Sequence, residues 1–336
     1  MKRTVALFAL ALMCAWTAAS AQEARYKFPQ YLSISGFIDG QYTYDDAQNT
    51  FFIRRARLAL SGDILPNLEF RLQTELAGTP KMLDAFVKYK FRPYLNIQAG
   101  QFKTPFTLES QYPLLKKEGI DYAQVIAKLA GYGDVLGGNR SNARDIGLMF
   151  YGDLLQAGGN KPYPLLSYNV GIFNGPGINR KDDNRSKDII ARLDVHPFVK
   201  NLVFSASVVA GSYNDLTTAY AANNRFSFGG EYKTDALTIR SEYVRADIEN
   251  KGSLMVIDGC YAAAGYWFNL SGSQRLRPIV RYDTINNEGA VTTLCMAGLD
   301  WWPLSHLRLQ LNYTRAYDQT PAPARNIVQV MASVKY

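Results

Sequence analysis

The chain has 336 residues, 47% of them apolar and 20% charged, with a formal net charge of +8 at pH 7 and 3 cysteines. That composition excludes a disordered or collagen-like chain, and the basic excess is scattered, with no Lys/Arg block or basic helix of the kind that grips nucleic acid. A mean hydropathy of −0.17, with no apolar run approaching ~20 residues, excludes a helical membrane span. It leaves a β-barrel open, because only alternate barrel residues meet lipid.

The first element is a leader. Lys2 and Arg3 form a charged start, Val5 to Ala15 is apolar, and Ala19-Ser20-Ala21 fits the small-x-small rule for cleavage. The expected division is a signal peptide over 1–21 and a mature chain over 22–336, whose formal charge falls to +6 once Lys2 and Arg3 are gone. Cys14 does not read as a lipidation site, since it lies inside the apolar stretch behind the bulky Met13.

The mature chain is a procession of segments with period two. Sixteen are expected, over 31–45, 49–62, 67–78, 82–91, 94–103, 144–152, 164–174, 187–195, 201–213, 224–233, 236–248, 253–268, 275–285, 290–301, 306–317 and 325–336. In 67–78, Leu68, Phe70, Leu72, Thr74 and Leu76 share one face, and Glu69, Arg71, Gln73 and Glu75 share the other. In 306–317, Leu307, Leu309, Leu311 and Tyr313 stand against Arg308, Gln310, Asn312 and Thr314. Period two means strand, and a half-apolar period means one dry face and one wet face.

An even strand count suits a bacterial single-chain barrel with both ends on the periplasmic side. On that reading the periplasmic turns at 63–66, 91–93, 196–200, 234–235 and 302–305 are short, and the long connections are external. Aromatics gather at strand ends: Tyr42, Tyr44, Phe51, Phe52, Tyr313 and Tyr317 externally, and Tyr232, Trp267, Phe268, Trp301, Trp302 and Tyr336 on the periplasmic side. Two interfacial belts would look like this. The last segment ends on Tyr336, with Val328, Val330, Ala332 and Val334 on the same face. That pattern suits a closing strand that must pair with the first to leave no open edge in lipid. The expected fold class is all-β, a transmembrane antiparallel β-barrel of about 16 strands.

One connection is out of scale. Residues 104–143 follow the fifth strand and form the third external loop. Within it Tyr122, Val125, Ile126 and Leu129 have helical spacing, after Asp121 and before Gly131. A long loop in a compact fold usually has a job, and this one is a candidate constriction folded inward.

Strand parity selects the wall residues that face the lumen. Arg55 and Arg57 lie opposite Phe52, Ala56, Leu58 and Leu60, so they are expected inside; Arg54 is expected on the lipid side, snorkelling toward headgroups. By the same parity Arg71, Lys88, Lys90, Arg192, Arg225 and Arg240 face in, as do Arg275, Arg277, Arg281 and Arg308. The expected inward carboxylates are fewer: Asp39, Glu69, Glu75, Asp84, Asp194, Glu231, Glu242 and Asp283. Lys103, Lys116, Lys117 and Lys128 join the lining if the loop folds in. A narrow pore with excess cations concentrates anions; the plainer reading is that many of these charges pair across strands and brace the wall.

Catalytic and metal chemistry finds no foothold. The two histidines, His196 and His306, stand in a turn and at a strand start, without metal-ligand spacing. Gly131-x-Gly133 and Gly137-Gly138 lack the strand–turn–helix setting of a phosphate cradle. Cys260 and Cys295 are expected to face outward on strands separated by one other, roughly 10 Å apart and too far for a disulfide. No enzyme activity, cofactor or metal is expected.

Two stretches, Phe-Ile-Arg-Arg-Ala-Arg-Leu at 52–58 and Gly-Gln-Phe-Lys-Thr-Pro-Phe at 100–106, resemble motifs of the phosphate-selective porins O and P, as does the region of Leu83-Asp84-Ala85. The resemblance runs best from Gly36 to Phe106. It implies a sixteen-stranded, trimeric outer-membrane porin with an inward third loop, passing small hydrophilic solutes with an anion preference that phosphate could share. It aligns Arg54, Arg55, Arg57 and Lys103 with shared motifs; Lys116, Lys117 and Lys128 have no motif that aligns them. The competing readings are an adhesive or structural barrel that binds a partner through several long loops, and a secreted carbohydrate-binding β-sandwich. A single outsized loop and aromatic belts favour the porin over both.

Overall fold

The computed structural model describes residues 32–46, 49–133, 141–158, 162–197, 199–319 and 324–336. The expected leader over 1–21 lies outside them, as does 134–140 within the long loop.

The described chain is one antiparallel sheet that closes on itself. Its strands are β1 (Ser33–Tyr44), β2 (Asn49–Leu65), β3 (Leu68–Glu75), β4 (Lys81–Arg92), β5 (Leu95–Lys103), β6 (Arg144–Gln156), β7 (Pro164–Phe173) and β8 (Asp188–Val195). They continue as β9 (Leu202–Ala210), β10 (Ala221–Lys233), β11 (Leu237–Asn250), β12 (Ser253–Tyr266), β13 (Arg275–Asn287), β14 (Ala290–Leu304), β15 (Leu307–Asp318) and β16 (Arg325–Lys335). Two further ladder segments, Ser212–Tyr213 and Phe268–Asn269, keep the register of β9 and β12 against the next strand and are their continuations. The barrel therefore has 16 strands.

Each strand pairs with its sequence neighbours, and β1 pairs with β16 from Phe37↔Lys335 to Tyr44↔Val328. Two more backbone hydrogen bonds, each 3.1 Å, join Gly36 and Tyr336 beyond that ladder. A Cβ at Gly36 would overlap the Tyr336 ring and the Arg57 carbonyl, so the glycine is the gap in which the terminal aromatic lies. The seam leaves no open edge, which a hydrocarbon setting requires.

The two faces differ as the period-two pattern demands. Ile38, Leu58, Leu72, Val87, Val280 and Val330 are exposed on the outer face. Asp39, Arg57, Glu75, Asp84, Arg281 and Gln329 are buried on the inner face. The ends also differ: at the end that holds both termini no connection between strands is longer than eight residues, whereas the long connections β7–β8 and β9–β10 lie at the opposite end. The segment between β5 and β6 leaves from the opposite end. Short turns are periplasmic in such barrels, so the long segment is on the external side.

Two β-bulges break parity beside candidate lining residues, and the other register shifts fall within a few residues of strand ends. On β2, Asp39 pairs with Arg55 but Gly40 pairs with Ile53, which leaves Arg54 as the extra residue. On β4, Gln73 pairs with Asp84 but Thr74 pairs with Met82, which leaves Leu83 as the extra residue, fully buried. A bulge re-aims the side chains beyond it. The expected lipid-side placement of Arg54 is therefore wrong, because the bulge turns it toward the lumen with Arg55. Phe52 likewise comes to lie across from the buried, inward Gln41. Two of the aromatics expected in the periplasmic belt also differ. Trp267 lies under Arg275 and Arg277 at 4.5 and 4.4 Å, and Trp302 lies under Arg308 at 5.8 Å. Their parity is that of the arginines they cover, while Trp301 and Phe268 stay exposed outside.

Candidate pore lining

The motif at Gly100–Phe106 builds the turn from β5 into the long segment. Gly100 has φ +121°, and a Cβ there would collide with the Ala85 carbonyl, so only glycine lets β5 lie this close to β4. Gln101 spans the top of β4, donating to the Met82 and Leu83 carbonyls at 2.9 and 3.0 Å. Phe102 packs edge-on against Phe86 and Phe173. Lys103 donates to the Ser110 and Tyr112 carbonyls at 2.6 and 3.2 Å, and the Thr104 amide donates to Ala143 at 2.9 Å, closing the neck.

Residues 104–133 then hold a short helix α1 (Leu108–Gln111), a 3-10 turn (Leu114–Lys116) and a second helix α2 (Gln124–Leu129). Val125, Ile126 and Leu129 of α2 are fully buried, and so is most of Tyr122. They pack on Val244, Ala246 and Ile248 of β11, Ile257 and Tyr261 of β12, and Ile285 of β13. The inner wall here is apolar, because it receives a helix rather than water.

Polar contacts from the same segment reach inner faces around the circumference. The Thr107 amide donates to Ser207 on β9 at 3.1 Å, and the Leu108 and Glu109 amides donate to Glu242 on β11 at 2.6 and 3.2 Å. Gln124 donates to Asp283 on β13 at 2.6 Å, and Arg225 on β10 donates to the Leu129 carbonyl. Asp121 bonds Arg54 of β2 and accepts from Gln329 of β16 at 2.7 Å.

The firmest anchor is Glu118. Its two oxygens meet Arg240 at 2.8 Å and Arg277 at 3.0 Å. Arg240 continues to Glu231 at 2.6 Å, and Arg277 continues to Asp300 at 2.6 Å. Asp300 also binds Arg308 at 2.7 Å, whose guanidinium donates to the Leu114 and Lys117 carbonyls at 3.2 and 2.8 Å. Three guanidiniums and three carboxylates thus form one neutral, buried cluster. Burial opposes the charge on Glu118, but Arg240 and Arg277 outweigh it and hold the carboxyl below the usual glutamate range. Asp121 is likewise held low, since Arg54 and the Gln329 bond outweigh its burial.

Most expected lining residues are found in such pairs. Arg55 binds Asp39 at 2.9 Å and Arg57 binds Glu75 at 2.8 Å. Arg71 and Arg144 share Asp84 at 3.4 and 2.6 Å. Arg281 binds Asp283 at 3.0 Å and donates to the Asp121 carbonyl at 2.8 Å. Lys117 is buried, with its ammonium over Tyr122 at 4.6 Å and a bond to the Gly119 carbonyl at 3.1 Å; burial pushes its pKa down. Among the described residues Lys88, Lys116 and Lys128 have no carboxylate within ion-pair distance. Lys116 is exposed, and Lys88 and Lys128 are half-buried.

Sequence parity missed Asp300, Arg144, Glu118 and Asp121. Arg144 is the first residue of β6, where the phase of alternation is weakest, and Asp300 follows Met296 and Gly298 on the inner face of β14, which show no polar alternation to lead to it. A signal for the helix seat did exist: from Tyr243 onward β11 inverts its pattern, with Arg245 and Asp247 outside and Val244, Ala246 and Ile248 inside.

Comparison with known proteins agrees with this architecture. Residues 33–234 match the family described as phosphate-selective porin O and P. Among solved structures, an anion-selective porin from Comamonas acidovorans is similar with a TM-score of 0.69 at 12% identity, over 91% of this chain and 99% of that one. OmpF of Salmonella typhi, in complex with daunomycin, gives 0.63 at 11% identity over 91% and 97%. The in-vitro folded OmpT of Vibrio cholerae in its trimer form gives 0.61 at 13% identity over 91% and 99%. No curated protein matches the chain.

Proposed function

Because the chain belongs to the phosphate-selective porin O and P family, it is an outer-membrane porin, and we propose that residues 104–143 are its constriction, passing small hydrophilic solutes with a mild preference for anions. The observation that carries this reading is the set of contacts by which 104–133 bonds to inner faces of strands from β8 round to β2 while, among the described residues, Lys88, Lys116 and Lys128 stand outside any ion pair. Free ammonium groups in a confined space raise local anion concentration. The inner carboxylates offer little competition. Glu242 accepts two loop amides and the Ser227 hydroxyl, and Asp39, Glu75, Asp84 and Glu118 face guanidiniums.

The preference is broad rather than a phosphate trap. A phosphate trap needs unpaired guanidinium forks, and Arg55, Arg57, Arg240 and Arg281 already face carboxylates. The similar OmpT structure is a trimer form, and three copies of this barrel are the assembly we propose. Reconstitution in a planar bilayer tests the reading: discrete conductance steps are expected, with a zero-current potential of anion-selective sign under a salt gradient. A cation-selective sign would overturn the preference, and an absence of steps would overturn the open channel in favour of a plugged, adhesive barrel.

A further inference from the structure

The outer face of β12–β15 carries a patch of small residues on adjacent strands. Ala262 and Ala264 on β12 and Ala297 on β14 are small, and with Val280, Cys295 and Tyr313 they line a groove of about 610 Å³. Its walls are almost wholly apolar. The register places Ala262, Tyr282, Cys295 and Arg315 in one row across four strands. The next residue in that row is Asn326, second from the external end of β16.

Arg315 also lines this groove, on the face that meets lipid, between Tyr313 and Tyr317. It is exposed, and its guanidinium lies 5.6 Å from the Tyr317 ring. Among the described residues it has no carboxylate partner. Other outward charges at this end do pair: Arg245 with Asp247 at 2.9 Å, and Arg325 with Asp318 at 3.5 Å. An unpaired cation on a lipid-facing strand is costly unless it reaches the headgroup level and meets an anion there.

We propose that this groove holds a phosphate-bearing lipid of the outer leaflet, with one acyl chain over the alanines and Cys295 and its phosphate on Arg315. Charge complementarity selects the occupant. A neutral lipid would leave the guanidinium without a partner, whereas a phosphate accepts its forked donors. The small side chains supply the depth, and the acyl chain buries its methylenes against them. The inference rests on the barrel and its orientation, not on the constriction or the ion preference.

Cys295 makes a native reporter. In a Cys260→Ser background, detergent-solubilised, lipid-stripped barrel is titrated with bis-phosphorylated lipid A or with its dephosphorylated form, and the rate of Cys295 alkylation by a maleimide is followed. Phosphorylated lipid is expected to protect Cys295 at a tenfold or lower concentration than the phosphate-free form. Arg315→Gln should erase that difference, and Ala297→Leu, which fills the groove, should weaken protection by both. Heat-modifiable gel migration checks that each variant is a folded barrel, and native mass spectrometry counts the copies. Equal protection by the two lipids, unchanged protection in Arg315→Gln, or protection that follows the copy number instead of the lipid, as a second barrel on this face would give, overturns the proposal.

Discussion

At the scale of single residues, Glu118 ties the long loop to the wall. It is one carboxylate shared by Arg240 and Arg277, both buried. Glu118→Gln keeps shape but leaves two guanidiniums short of charge, a loss on the order of 3–5 kcal/mol for a broken buried pair. The expected result is a channel that inserts normally and shows more frequent current transitions in single-channel records. The pH dependence follows from the lowered carboxyls of Glu118 and Asp121. A group with a depressed folded value contributes stability that is present above its ordinary pKa, about 4, and is lost as pH falls through the folded value. The anchoring by these two carboxyls should therefore be constant from pH 8 to 5 and fail only below about 4; a change in the records near pH 7 would instead report Lys117, whose pKa burial pushes down to about 7. Arg54 supplies a second test. If the bulge aims it at Asp121, Arg54→Leu and Asp121→Asn should disturb the current to similar extents, and the double variant should add little to either. Full additivity would return Arg54 to the lipid face.

At the scale of elements, α2 is held by packing, not by its own propensity, since a helix of six residues has no independent stability. Ile126→Ala removes a fully buried side chain from the seat on β11–β13, at a cost of about 2–5 kcal/mol. A larger single-channel conductance, with the barrel itself still heat-modifiable, is the expected outcome; unchanged conductance would separate α2 from the narrow part of the pore. The closing seam is an element of another kind. Gly36→Val puts a branched side chain where Tyr336 lies, so the yield of folded barrel should fall while shortening Tyr336 to Ala in the same chain should recover part of it. Measuring both on a semi-native gel distinguishes a steric seam from a general intolerance of valine in β1.

At the scale of the whole molecule, the sign of the pore follows from which charges are spent on structure. The guanidiniums of Arg55, Arg57, Arg277 and Arg308 are committed to carboxylates, and the ammonium groups of Lys116 and Lys128 are not ion-paired among the described residues. Lys116→Gln with Lys128→Gln should therefore move the zero-current potential toward neutrality more than Arg55→Gln with Arg57→Gln does. The difference should be greatest in dilute salt, where the Debye length approaches ~30 Å at 0.01 M. The arginine pair should act on folding instead, because their removal strands Asp39 and Glu75 in a buried setting. The opposite ranking would make the wall arginines the selective groups.

The barrel is legible in the chain's own alternation. Period-two alternation is a local property of each strand and reveals the strand order and the closing strand, with strand ends shifted by up to four residues: β2, β6, β10 and β14 run longer than expected, and β1 and β3 are shorter. It also marks 104–143 as the outsized loop and the Tyr122–Leu129 stretch as helical, of which Gln124–Leu129 is helix, because a 3.6-residue period stands out from a period of two. What each charge does depends on contacts made in three dimensions. Parity carries no information across a bulge, so Arg54 was misplaced by one inserted residue, and Leu83 hid the second bulge in the same way. The stretches that resemble the family owe their character to these irregularities: the two bulges and the Gly100–Phe106 neck. Ion pairing is decided by residues far apart in the chain, as with Glu118, Arg240 and Arg277, or Asp121, Arg54 and Gln329. Alternation assigns a side chain to a face, but it cannot say which partner meets it there, and that partner decides whether an inward arginine meets a solute or holds the loop.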